Sequence, residues 1–128
     1  MLRIHEDQMT RLGAQARDGF VMRMRDYLAA NYAGRVPGDH AALEAWVQHV
    51  VDKADRHGIR HEGPVAQYML LLLVLGEDAD ERLPWVAETL GDTGLAGLGK
   101  VRRIVQLARA QAVPGIEDVT VVTEVCQP

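Results

Sequence analysis

Apolar residues recur along most of this chain at every third or fourth position, the period of a helix with one buried face. Met9, Leu12, Ala16, Phe20, Met24, Tyr27 and Leu28 step in this way, with Arg11, Arg17, Arg23, Arg25 and Asp26 between them. They predict one amphipathic helix of roughly six or seven turns, ending near Gly34. Gly13 and Gly19 fall inside it, where glycine costs about 1 kcal/mol relative to alanine. Their presence points to close packing of another helix, or to a break near Gly19. After the glycine- and proline-punctuated loop 34–39, Leu43, Trp46, Val47, Val50, Val51 and Ala54 form the cleanest stripe in the chain. Asp39 is placed to cap that second helix, and Gly58 to end it in a left-handed conformation.

The third helix opens on Glu62, Gly63 and Pro64. Its body, residues 65–75, is apolar on nearly every side. A helix of that kind is surrounded by others. Gly76 closes it, an acidic loop follows, and Pro84 starts a short fourth helix over 85–90. Glycines 91, 94, 97 and 99 predict a flexible connection, after which Leu98, Val101, Ile104, Val105 and Ala108 mark a fifth helix that stops before Pro114. The pattern then changes. Ile116, Val119, Val121, Val122 and Val125 are β-branched and favour extended chain. With no second strand visible, this stretch lies across the bundle, stays loose, or adds to a partner's sheet edge. The expectation is an all-α, compact bundle of about five helices in one domain, 1–112, with the apolar helix 65–75 at its centre. Helices one, two and five pack on that centre, and an irregular or extended tail spans 113–128.

At 128 residues the chain is long enough to bury a core without disulfides or metal. It holds a single cysteine, Cys126, and no serine. A disulfide scaffold and a serine hydrolase are therefore excluded. The opening residues, Met1 to Gln8, are charged throughout and lack the apolar run of a signal peptide. The longest apolar stretch, Tyr68 to Leu75, is far shorter than the ~20 residues of a membrane span. A cytoplasmic protein with no membrane association is expected.

Candidate chemistry adds little. His57 and His61 have the four-residue spacing of helical zinc ligands, but Gly58 lies between them, and His5, His40 and His49 supply no frame. Read as a calcium loop from Asp78, the acidic segment puts Leu83 where glycine is needed and Thr89 where the bidentate glutamate belongs. Gly94 to Lys100 lacks the spacing of a phosphate-binding loop. No catalytic, cofactor or metal residues are assigned, and the chain is read as a non-enzyme.

Charge is more informative. The net charge is −4, and only six residues are aromatic, which disfavours nucleic acid as a partner. Six acids (Glu77, Asp78, Asp80, Glu81, Glu88, Asp92) stand against Arg82 alone over residues 77–92. Lys100, Arg102, Arg103 and Arg109 of the fifth helix have no acid among them. The two segments are either solvated faces that meet within the fold or a complementary docking surface. On the second reading Asp78, Asp80, Glu81, Arg102 and Arg103 contact a protein partner, and Trp85, at a helix start beside the acidic loop, is the anchor.

Short motifs carry a family resemblance over roughly residues 1–110: Leu2-Arg3-Ile4 with Gln8-Met9, Phe20 and Leu28, His57-Gly58-Ile59 with Glu62, Leu75-Gly76 leading to Asp80, Leu83-Pro84-Trp85, and Lys100-Val101. In these the chain resembles small helical bacterial proteins encoded in type VI secretion gene clusters, near spike and toxic-effector genes. The resemblance implies an accessory role through protein binding, as adaptor or chaperone for an effector or spike protein. The alternatives are an immunity protein that neutralises a cognate toxin and, more distantly, a small enzyme or metal-binding protein. It transfers no catalytic residue.

Overall fold

The computed structural model describes residues 14–116 and Val119. Six helices follow one another: α1 (Ala14–Asn31), α2 (His40–Arg56), α3 (Glu62–Leu75), α4 (Ala79–Arg82), α5 (Pro84–Leu90) and α6 (Gly97–Ala110). Among the described residues there is no strand, and the fold is all-α.

α3 is packed between α2 and α6, α5 lies on α6, and α4 on α5. Twelve of the fourteen residues of α3 are buried. That is the outcome expected of a helix with no polar face, because only neighbours on several sides remove such a surface from water. The buried stripe of α2 is Leu43, Val47, Val50, Val51 and Ala54. That of α6 is Val101, Ile104, Val105 and Ala108. α1 packs chiefly on α2 rather than along α3, with Phe20, Val21, Met24 and Leu28 buried. An Arg23–Glu62 ion pair ties it to the start of α3.

The helix ends follow the local sequence. Asp39 accepts from the Ala42 N–H at 2.9 Å, satisfying a donor that has no partner inside the helix. α2 ends in a Schellman turn: the Ile59 N–H bonds the Ala54 carbonyl and the Gly58 N–H bonds that of Asp55. Gly58 takes φ +80°, which a side chain would strain. The turn delivers Ile59 into the core, fully buried.

Four expectations are revised. α1 runs unbroken through Gly19, and a Cβ built there meets nothing within 4 Å. Gly19 is therefore neither a hinge nor a close-packing contact. Gly19→Ala should raise stability by about 0.5–1 kcal/mol, the helix-propensity difference, read as a higher urea midpoint with unchanged slope. A lower midpoint would show that the backbone needs glycine there.

The acidic loop contains a helical turn of its own, α4, which brings the helix count to six. Gly97 and Gly99, expected in a flexible connection, belong to the first turn of α6.

The core also continues past residue 112. Val113 packs against it, and Ile116 and Val119 are buried with helical backbone. Burial of these side chains outweighs the β-branched preference for extended chain, which is weak beside tertiary packing. The first part of the predicted opening helix and the β-branched run from Thr120 onward fall outside the described residues.

Candidate functional site

The joints of the bundle converge on the turn that follows α2. Lys100, in the first turns of α6, is buried, and its ammonium donates to the carbonyls of His57 at 2.8 Å and Leu90 at 2.6 Å. Those carbonyls end α2 and α5, where the helix dipoles gather negative charge. One cation thus holds two helix ends and the start of a third. Gly97 lies against the same turn: a Cβ there would stand 2.7 Å from the Gly58 oxygen and 3.0 Å from the Ile59 Cα. α6 can reach the turn only because residue 97 has no side chain.

On the other side of His57 lies a polar cluster centred on Asp80. Lys53 donates to Asp80 Oδ1 at 3.1 Å and to the Glu77 carbonyl at 3.1 Å. His57 Nε2 stands 4.0 Å from Asp80 Oδ2, too far for a direct hydrogen bond. Burial lowers the His57 pKa below its ordinary value of 6.5. Asp80 opposes the shift, while Lys100, Lys53 and Arg56 reinforce it. The imidazole is therefore neutral at pH 7. The Tyr68 hydroxyl, within the electrostatic reach of Asp80, is buried with no hydrogen-bond partner among the described residues. Burial first, and the Asp80 carboxylate second, push its phenol well above its ordinary range.

As pH falls from 7 through 6.5 toward the lower folded-state pKa of His57, the unfolded chain takes up a proton that the folded chain refuses, so stability declines across that window. His57→Gln should reduce this decline in urea titrations between about pH 7 and pH 5.5. An equal decline in the variant would show that His57 does not supply it.

The six residues singled out from charge and sequence do not form one cluster. Asp78 is exposed and pairs with Arg82 at 3.2 Å. Glu81 is exposed. Asp80 is turned inward, its side chain only 12% accessible, and engages Lys53. It holds α4 to α2 and is not a free docking charge. Trp85 is half-buried, packed against the core, and its carbonyl accepts from Thr89 Oγ1 at 2.7 Å. It does not stand out as an exposed anchor; the large apolar side chain that does, among the described residues, is Met22, at 51%.

Arg102 and Arg103 are exposed on α6. The cations that engage residues 77–80 are Lys53 of α2 and Arg82 itself, with the His49 and His57 rings more distant, at 3.9 and 4.0 Å. None comes from α6 among the described residues, so the acidic and basic segments do not neutralise each other within the fold. An open cavity of about 320 Å³ beside the acidic segment is lined by Lys53, Glu77, Asp78 and Glu81.

Asp80 is committed to Lys53, and Tyr68 is closed off from solvent. Among the described residues no three His, Cys, Asp or Glu side chains come together to hold a metal ion. No helix among them is long and apolar enough to cross a membrane. The sequence does not mark Lys53, Gly97 and Lys100 as joints of the fold, because the groups they meet lie far away along the chain.

Comparison of the chain with protein-family models, with curated proteins and with solved structures finds no match.

Proposed function

We propose that this chain is a non-catalytic, protein-binding accessory protein of a type VI secretion system, an adaptor or chaperone that receives an effector or spike protein. The single observation that carries the protein-binding reading is that two exposed charged surfaces of opposite sign are left without each other. One is presented by α4 and its flanks (Glu77, Asp78, Glu81), the other by α6 (Arg102, Arg103). Opposed charges on a preformed surface speed and orient association with a complementary protein. The link to secretion rests on the sequence resemblance alone. In this fold several of the resembling residues, His57-Gly58-Ile59, Asp80 and Lys100, are joints of the bundle. They hold up the docking surfaces rather than form them.

Affinity capture from the native host tests the reading. Retention of an effector or spike protein, lost in high salt, supports it. Protection of cells against a toxin encoded nearby, without a role in export, would replace it with an immunity function. Exchanging Asp78→Asn together with Glu81→Gln should slow association with the captured partner by roughly threefold to tenfold at low salt. Both side chains lie at the surface, so stability should move by less than about 0.5 kcal/mol. Unchanged association kinetics would remove the acidic surface from the account.

A further inference from the structure

α6 carries a charge pattern that its folding does not explain. Val101, Ile104, Val105 and Ala108 are buried on one side. Arg102, Arg103, Gln106, Arg109 and Ala110 are exposed on the other, and at 100° per residue they fall within about a third of a turn. Three of these positions can be accounted for or are neutral. Arg109 sits in the last turn, where a cation complements the helix dipole. Gln106 and Ala110 carry no charge.

Arg102 and Arg103 sit mid-helix, away from either dipole end. They also differ from every other arginine and lysine among the described residues, each of which has an interaction partner: Arg17 holds Asp52, Arg25 holds Glu44, Arg60 holds Asp55. Scarcity of acids is not the reason, since the chain has 18 Asp and Glu against 14 Lys and Arg. Nor does solubility require them, because in a protein of net charge −4 each arginine reduces the magnitude of the charge that keeps copies apart.

We infer that the Arg102–Arg103 face of α6 is a docking surface for an acidic segment of a partner protein, whose carboxylates the two guanidiniums grip. This rests on the protein-binding reading above and names the partner's chemistry at one of its two surfaces. Guanidinium is a planar fork matched to carboxylate or phosphate oxygens. Phosphate on nucleic acid is disfavoured by the surroundings. α5, packed beside α6, and the turn after it expose Glu88 and Asp92, and a phosphate backbone with its uniform charge repeat would be repelled there. Both tryptophans are half-buried against the core, so neither offers an open stacking platform for bases. A protein segment can place its carboxylates over α6 and avoid Glu88 and Asp92.

The test is a titration of the full-length isotope-labelled protein with a glutamate-rich helical peptide of about 16 residues, followed by backbone amide shifts. A glutamine counterpart of the peptide and a short DNA duplex serve as the other arms. Saturable shifts confined to residues 102–110, absent with the glutamine peptide and abolished near 300 mM salt, about twice physiological ionic strength, are expected. Arg102→Gln with Arg103→Gln should weaken the peptide by about tenfold, as loss of two charge-assisted contacts requires. Arg56→Gln with Arg60→Gln, elsewhere on the surface, should change it by less than about twofold. Equal effects of the two double variants, shifts spread over the whole chain, or binding of the duplex at α6 as tight as that of the peptide would each overturn the assignment. If affinity capture retains a partner and the Arg102/Arg103 variant retains it equally well, the α6 assignment fails while the protein-binding reading stands.

Discussion

Gly97→Ala should destabilise the protein by about 2–3 kcal/mol, an effect usually reserved for overpacked cores. For a chain of this size it corresponds to a Tm lower by roughly 10 °C. The reason is geometric. The added Cβ would stand 2.7 Å from the Gly58 oxygen and 3.0 Å from the Ile59 Cα. Both are backbone atoms of a turn fixed by its own hydrogen bonds to Ala54 and Asp55, so neither can swing aside as a side chain would. Nor does helix propensity offset the clash, because residue 97 opens α6 rather than occupying its interior. Gly99→Ala is the internal control: its Cβ would meet only the Leu95 side chain, at 3.7 Å, an ordinary contact. Thermal unfolding of the two variants side by side should separate them clearly. Equal melting temperatures would mean that α6 does not rest on the 58–59 turn as described.

Lys100→Met should cost about 2–4 kcal/mol, because methionine keeps much of the volume but removes both hydrogen bonds from a buried cation. The carbonyls of His57 and Leu90 would lose the donor they now share. Unsatisfied buried carbonyls carry their full desolvation cost, which is larger than the net worth of an average hydrogen bond. Urea unfolding reads the loss directly. A change below about 0.5 kcal/mol would show that the ammonium is dispensable and that packing of Val101 and Ile104 alone seats α6. The variant also lowers the positive charge around His57, on which Lys100 acts electrostatically. The His57 proton should therefore be held more readily in Lys100→Met, in the direction opposite to the wild-type shift.

The regular parts of this fold were legible wherever the local pattern matched the final environment. α2 shows a stripe, an acidic cap and a terminal glycine, and each does in the structure what its position implies. α3 reads as buried because it has no polar face to expose. What stayed hidden depends on residues distant in sequence. α4 is a single turn of Ala-Asp-Glu-Arg held by Lys53 reaching Asp80 from α2 and by Arg82 donating to the Leu75 carbonyl. Nothing within those four residues announces a helix. Lys100 reads as one more cation on a basic helix, and only the meeting of two helix ends, from residues 57 and 90, explains its burial. Gly97 sits among several glycines that together suggest flexibility, yet it is where α6 meets the backbone of the 58–59 turn with no room for a Cβ. Asp80 reads with its acidic neighbours as a docking residue, because a run of like charges gives no sign of which member turns inward.

The inward turn of Asp80 sharpens the functional reading. With Asp80 committed to Lys53, the acidic surface consists of Glu77, Asp78 and Glu81 around an open cavity, carried by an element anchored from behind. The basic surface consists of two arginines on a helix whose own anchor, Lys100, is buried against the ends of α2 and α5. The charges that hold the bundle together, Lys53, Asp80 and Lys100, are different residues from those exposed on the two surfaces. The exposed ones can therefore be altered without unfolding the protein.

The most direct measurement of the central idea, a rigid helical scaffold that meets a protein partner through complementary charge, is the association rate constant with the captured partner as a function of ionic strength. A fall of about tenfold or more between roughly 25 and 300 mM salt, with a flatter dependence in the Asp78→Asn/Glu81→Gln and Arg102→Gln/Arg103→Gln variants, is the predicted result. A rate constant that is indifferent to salt in the wild-type protein would contradict it.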